Sequence, residues 1–272
     1  MRAEAAAENA LSVELIRQHL STSTVGRPLV LYDAVPSTNT VLRDLARTGT
    51  AEGMTVLAES QTAARGRGGK PWFSPPGVNL YASVLLRPAI APGAAAVFSF
   101  VSSLALTDAI RELGIAPAIK WPNDVLVKRR KVAGTLAEVA IAGDRLEHVI
   151  LGVGVNVNVE LEALRAGLGA AAQHATSLRE ALGRPVERNA LAAAFLNYLD
   201  EWLITYRDQG APALLRAWRD LEIVTGRRVQ VWEGGAGFEG RALGIGAEGY
   251  LEVEDARGRV HRIVAGDVRL LE

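Results

Sequence analysis

The texture of the chain changes abruptly after Leu221, and that change limits the fold more than any single motif. From Arg227 to Glu272, short runs of alternating apolar and polar residues are separated by glycine turns. Strands at about 8–12-residue spacing suggest a small β-barrel or meander. Roughly 50 residues are enough for an SH3-like barrel. Before residue 222 the chain instead mixes helical and strand patterns. The expectation is an α+β fold in two domains, 1–221 with a mixed β-sheet and helices, and 222–272 as a C-terminal SH3-like β-barrel.

Within the first part, residues 9–20 carry Leu11, Leu15, Ile16 and Leu20 at helical spacing. Leu29 to Tyr32 read as a strand, and Ser37-Thr38-Asn39 as a helix start. Thr55 to Glu59 form a buried strand, and Thr62 to Gly77, rich in Gly, Pro and Arg, a long loop. A strand over 78–86 and an apolar-striped helix over 98–113 follow. Three strand-like runs come next, Ile119 to Val127, Val132 to Val139 and Leu146 to Val157. Helices over about 187–207 and 212–221 complete the part.

Several chemistries are excluded at once. The 272 residues contain no cysteine, so disulfides, thiolate nucleophiles and Cys-ligated metals are ruled out. His19, His148, His174 and His261 are scattered, never at paired ligand spacing. Thirty basic residues balance thirty acidic ones, which gives no whole-chain case for nucleic acid or an anionic membrane. No apolar run reaches the roughly 20 residues that span a bilayer. The N-terminus has neither a basic nor an apolar signal region, so a cytoplasmic protein is expected.

Lysine occurs only at Lys70, Lys120, Lys128 and Lys131. Arginine replaces lysine on most solvated surfaces, but not where a compact ammonium is needed. Four survivors within one stretch hint at chemistry.

Three strings carry that hint. Arg65-Gly66-Arg67-Gly68-Gly69-Lys70 combines close backbone approach with anion-matching forks, and reads as an anion-binding loop, a solvated loop or an RNA-binding segment. It is neither a Walker loop nor a dinucleotide fingerprint. Lys120-Trp121-Pro122-Asn123-Asp124 joins a cation, an aromatic, a rigid turn and two polar oxygens; an ordinary Asn-Asp turn is the alternative. Lys128 to Lys131 reads as a hairpin tip or a basic patch, with Lys131 returning toward the apolar strand. In Gly152-Val153-Gly154-Val155-Asn156, glycines alternating in a buried strand allow either a flat ligand or a bulged core strand.

Order and combination decide among these. Ser37-Thr38-Asn39, Glu59 to Thr62, Arg65-Gly66-Arg67, Trp72 to Pro75, Asn79-Leu80-Tyr81, Lys120 to Asp124, Lys131 to Gly134 and Gly152 to Asn156 closely resemble the biotin protein ligases, colinearly from about residue 30 to 160. The resemblance implies the α+β fold shared with class II aminoacyl-tRNA synthetases. It also implies a two-step ATP-dependent ligase. Biotin and ATP give biotinyl-5′-AMP and pyrophosphate, and a lysine of a biotin carboxyl carrier domain on an acyl-CoA carboxylase attacks the adenylate.

By similarity Lys131 and Arg67 are catalytic cations between carboxylate and α-phosphate. Ser37, Thr38, Asn39, Gln61, Arg65, Gly66, Arg67, Lys131 and Gly134 would bind biotin. Arg65, Arg67, Trp72, Lys120, Asn123 and Asn156 would hold ATP or the adenylate, with Asp124 a magnesium contact. The base for the acceptor lysine is not assigned. The chain departs from the family loop at Ala64, at Gly68 in place of an arginine, and at Lys70-Pro71.

Regulatory members carry a winged-helix domain before these motifs. Here Ser37 already belongs to them, so no DNA binding is expected, and no membrane contact. An exposed strand edge could support a homodimer. The rival readings are a lipoate–protein ligase, a non-catalytic biotin-sensing module and a basic-loop RNA-binding protein.

Overall fold

The computed structural model describes residues 9–233, 236–264 and 266–271. In chain order the elements are α1 (Val13–Gln18), β1 (Leu29–Val35), α2 (Thr38–Arg47), β2 (Thr55–Gln61), β3 (Leu80–Leu86), α3 (Val97–Arg111), β4 (Pro117–Lys120), β5 (Asp124–Val127), β6 (Arg130–Ala142) and β7 (Arg145–Val155). There follow α4 (Leu161–Leu168), α5 (Leu178–Leu182), α6 (Arg188–Gln209), α7 (Ala211–Arg219), β8 (Arg228–Glu233), β9 (Ala236–Ile245), β10 (Leu251–Asp255), β11 (Val260–Ile263) and β12 (Asp267–Leu270).

The first seven strands form one mixed sheet in the order β1-β2-β3-β7-β6-β5-β4. Only β1 and β2 are parallel, and α2 supplies the crossover a parallel pair requires. β3, LYASVLL, is buried at every position because it is central and covered on both faces. The run over 119–127 is two strands rather than one. Trp121-Pro122-Asn123 folds β4 back onto β5, with Lys120 opposite Asp124.

The segment Pro92–Arg111 is long and apolar enough to cross a bilayer, against the expectation that no run was. It contains α3, whose apolar residues face neighbours on nearly every side, as a core helix does. Phe100 meets Trp218 of α7 edge-on at 4.9 Å.

The later strands pair antiparallel in the order β11-β10-β9-β8-β12. The expected barrel is thus a five-stranded antiparallel sheet. Among the described residues no pairing joins its two edges, β11 and β12. Its apolar face, including Val229, Val231, Ala242, Leu251 and Val253, continues the main core. Leu221 accepts from the Ile119 amide at 2.9 Å and Ile223 donates to the Ile119 carbonyl at 3.0 Å. Trp121 Nε1 donates to the Gly249 carbonyl at 3.2 Å. These bonds seat the second sheet against the turn that carries Lys120 to Asp124.

Candidate active site

β5 and β6 form a hairpin whose two turn residues, Lys128 and Arg129, have φ of 49° and 64°. Such a turn suits the right-handed twist of paired strands. Leu126 faces Lys131, yet Val125 faces Ala133 and Asp124 faces Gly134, so Val132 is an extra, bulged residue. The bulge has a chemical consequence. In a regular strand, residues three apart point to opposite faces. Here Lys131 and Gly134 share a face, and both join Asp124.

Lys131 Nζ lies 2.5 Å from Asp124 Oδ1, and Lys120 Nζ lies 3.3 Å from Oδ2. Burial pushes the Asp124 carboxyl upward, but the two ammonium groups outweigh it and hold the group below its ordinary value. Gly134 leaves room for the lysine tail, since a Cβ there would stand 3.3 Å from Lys131 Nζ. Asn123 donates from its side chain to the Thr135 carbonyl and accepts from the Thr135 amide at 3.1 Å.

The arginine–glycine loop is a small hairpin. Arg65 pairs with Pro71, Gly66 donates to Lys70 at 2.7 Å, and Trp72 donates to Ala64 at 3.0 Å. Gly68 and Gly69 at the tip have φ of 63° and 74°. An arginine at position 68 would be strained there, so Gly68 suits this hairpin. The Arg67 guanidinium carbon lies 5.8 Å from the centre of the Trp121 ring. Burial lowers the Arg67 pKa, opposed by Asp267 and Asp124, and the group stays a cation. Lys70 Nζ reaches Asp267 of β12 at 2.5 Å.

Trp72 folds back from this hairpin onto the sheet. Its ring lies 5.2 Å from Lys131 Nζ and so close over Gly154 that any Cβ there would overlap it. Phe73 uses Gly167 of α4 in the same way.

A polar row forms the far wall. Ser37 caps α2 without a side-chain bond, which leaves its hydroxyl free. Gln61 Oε1 accepts from the Thr38 amide at 2.9 Å, and Gln61 Nε2 donates to Ser74 at 3.2 Å. Ser83 donates to Asn39 Oδ1 at 2.6 Å and lies 2.7 Å from Thr38 Oγ1. Asn39 Nδ2 donates to Glu138 at 3.1 Å. Sequence reasoning missed Ser83 and Glu138. The available signal was a serine within the otherwise apolar run LYASVLL.

All the expected site residues line one cleft of about 1320 Å³: Ser37, Thr38, Asn39, Gln61, Arg65, Gly66, Arg67, Trp72, Lys120, Asn123, Asp124, Lys131, Gly134 and Asn156. Asn156 is the most committed to structure, donating to the Thr176 carbonyl at 3.1 Å and from its amide to Val132 at 2.8 Å. The residues do not form a metal cage. Among the described residues no three acidic or histidine side chains cluster, and both oxygens of Asp124 are engaged by ammonium groups.

What the arrangement offers is a polar end, a floor of glycines with no side chains, and a cationic end with a flexible-stemmed lysine at its centre. A family model described as the biotin/lipoate A/B protein ligase family matches residues 31–156. The bifunctional ligase/repressor BirA of Bacillus subtilis is 32% identical over 261 residues, covering 96% of this chain and 79% of the relative. The biotin–[acetyl-CoA-carboxylase] ligase of Mycobacterium tuberculosis is 35% identical over 249 residues, 89% of this chain and 88% of the relative. Among solved structures, the biotin protein ligase of Aquifex aeolicus in complex with biotin and ATP superposes with a TM-score of 0.73 at 25% identity, covering 89% of this chain and 98% of that one.

Proposed function

The chain belongs to the biotin/lipoate A/B protein ligase family and is an enzyme of the ligase class, and from that premise we propose that it adenylates biotin and transfers it to a carrier lysine. In the first step a biotin carboxylate oxygen bonds to the α-phosphorus of ATP, and pyrophosphate leaves with the electron pair. In the second, the acceptor amine bonds to the acyl carbon and AMP leaves. The acceptor is a biotin carboxyl carrier domain of an acyl-CoA carboxylase.

The observation that carries this reading is the placing of Lys131. It shares Asp124 with Lys120 beside the glycine floor that joins the polar row to the arginine hairpin. Carboxylate and α-phosphate repel each other. A unit charge 4 Å away is worth about 4 kcal/mol at an effective dielectric near 20, so Lys131 and Arg67 between them set the barrier. The polar row of Ser37, Thr38, Asn39 and Gln61 offers the donors and acceptors that a ureido ring needs. Gly134 leaves space for the acyl chain. Arg65, Trp72, Lys120, Asn123 and Asn156 surround the nucleotide, with Gly66 allowing the loop backbone to close on it and exclude water.

Magnesium enters as the partner of the ATP phosphates, hence as part of the substrate. Asp124 acts first as the holder of two lysines. Residues 1–221 and 222–272 then act as a catalytic and a C-terminal domain, because the second sheet borders the cleft through Asp267. Beyond Thr135, β6 is paired on one side only and exposes Val139 and Ile141, an edge on which a homodimer could form. The reaction is placed in the cytoplasm.

Pyrophosphate release from ATP and magnesium, with biotin, lipoate or neither and no carrier present, tests the reading. Release is expected with biotin alone. Release with lipoate alone would move the activity to the lipoate ligases, and biotin binding without release would make the protein a sensor.

A further inference from the structure

The polar row is more than a set of donors and acceptors, because its contacts fix which way each proton points. The chain of contacts begins at Glu138 on β6, behind the cleft wall. A carboxylate offers acceptors only, so the Asn39 atom that meets Glu138 Oε2 at 3.1 Å is the donating Nδ2. That turns Asn39 Oδ1 toward Ser83, whose Oγ stands 2.6 Å away. Two oxygens so close need a proton between them, and an amide oxygen carries none. The single Ser83 proton therefore lies on the bond to Asn39. Ser83 Oγ is also 2.7 Å from Thr38 Oγ1, and with its own proton committed it accepts the proton of Thr38. The other acceptor within reach of that proton, Gln61 Oε1, is further off at 3.3 Å and already accepts from the Thr38 amide at 2.9 Å. Thr38 lines the cleft, so its hydroxyl oxygen has only lone pairs left to offer there.

The backbone makes this relay possible. Gly152 on β7 pairs with Ser83 of β3 on one side and with Leu136 of β6 on the other, two residues before Glu138. Ser83, Gly152 and Glu138 thus share one face of the sheet. Asn39 descends from α2 onto that face, and a Cβ at Gly152 would overlap its side-chain amide. Gly152 keeps open the gap through which Asn39 joins Ser83 to Glu138. Neither Ser83 nor Glu138 lines the cleft. Arg43, one turn further along α2, lies 3.6 Å from Glu138 Oε2 and leaves the carboxylate an acceptor.

We propose that Glu138 is a positioning residue that holds Thr38 as a hydrogen-bond acceptor, and so selects ligand heads that present an N–H donor. This rests on the biotin reading and gives it a source of specificity. A ureido ring carries two N–H groups, whereas a dithiolane carries none. A ligand oxygen opposite Thr38 would meet lone pairs with lone pairs, a mismatch that costs more than a hydrogen bond never made.

The test is calorimetric titration of the full chain with biotin and with its two cyclic carbamate analogues, in which one ureido N–H or the other is replaced by a ring oxygen. Wild type is expected to bind one carbamate about tenfold more weakly than biotin, the scale of a hydrogen bond replaced by facing acceptors. In Glu138→Gln the new amide either donates or accepts, so Asn39 is free to turn over, and that ratio should fall to about twofold. Ser83→Ala breaks the relay at its centre and should lower the ratio in the same way. Arg43→Met removes the neighbouring charge but not the acceptor, so its ratio should match wild type. A general loosening of the site would weaken all three ligands alike and leave every ratio standing. Unchanged ratios in Glu138→Gln and Ser83→Ala, an equal fall in Arg43→Met, or no discrimination by wild type would overturn the relay. The expected pattern without biotin-dependent pyrophosphate release would support the relay and overturn the adenylation reading instead.

Discussion

Asp124 Oδ1 stands 2.5 Å from Lys131 Nζ, and the bulge at Val132 is what lets the two share a face. The carboxylate also holds Lys120, so it offsets the repulsion between two ammonium groups. Asp124→Asn keeps the shape and removes that charge. Biotin-dependent pyrophosphate release should fall about 10- to 100-fold through misplacement of Lys131, with KM for biotin little changed. Lys131→Ala should lower the same rate further while leaving the fold intact.

The pair also carries a pH signature. The folded Asp124 carboxyl lies below its ordinary value, which is about 3.9 in an unfolded chain. Its stabilising contribution is therefore complete above about pH 4 and is lost as pH falls through the folded value. Unfolding midpoints between pH 7 and pH 3 should show a smaller acid loss for Asp124→Asn than for wild type. Equal losses would mean that the pair does not couple to folding.

Gly154 gives the Trp72 indole its seat on the sheet. A methyl group there must displace the ring or the strand, an overpacking cost of about 1–3 kcal/mol. Gly154→Ala should lower the thermal midpoint and shift tryptophan emission. It should also weaken adenylate retention, because the arginine hairpin is tied to the same indole.

Arg188 is fully buried and binds Glu59 at 2.7 and 3.2 Å, the Asn9 carbonyl at 2.6 and 2.9 Å and the Asn79 carbonyl at 3.0 Å. It fastens the start of α6 and the N-terminal segment to the strand that ends in Gln61. Arg188→Met leaves the half-buried Glu59 carboxylate without its counter-charge, with only the Leu11 amide still donating to it at 2.7 Å, and deprives two carbonyls of their guanidinium donor. The expected loss is about 3–5 kcal/mol by urea unfolding. The double variant Arg188→Met, Glu59→Leu should recover part of it, since the unpaired charge is then gone.

The site's chemistry was legible because its groups are close in sequence: Lys120 and Asp124 are one turn apart, and Lys131 and Gly134 one bulge apart. The bulge itself left no mark, because Val132 is apolar like any core residue. Ile119 to Val127 looked like one strand because Trp121 is as apolar as its neighbours and buries itself against the second sheet. α4 and α5 are too short for a periodic stripe to show. Ser83 was hidden because one polar residue in a buried strand points to a ligand only once Thr38 and Asn39 are seen to meet it.

The β5–β6 turn reaches its register at a cost. Lys128 and Arg129 both occupy the left-handed region that side chains avoid, at about 1–3 kcal/mol each. Lys128 recovers some of that by donating to the Ala181 carbonyl at 3.1 Å, whereas Arg129 is exposed and has no hydrogen-bond partner among the described residues. Glycine adopts φ near 64° without strain, and two-residue hairpins of this type favour it at the second turn position. Arg129→Gly should therefore raise stability by about 1 kcal/mol despite removing a side chain, since the strain relieved exceeds the backbone entropy that glycine loses on folding. Arg129→Ala keeps the strained conformation and serves as the control. A midpoint that rises for glycine and not for alanine assigns the gain to the backbone. An equal rise in both would assign it to the lost guanidinium charge beside Lys128, Arg130 and Lys131.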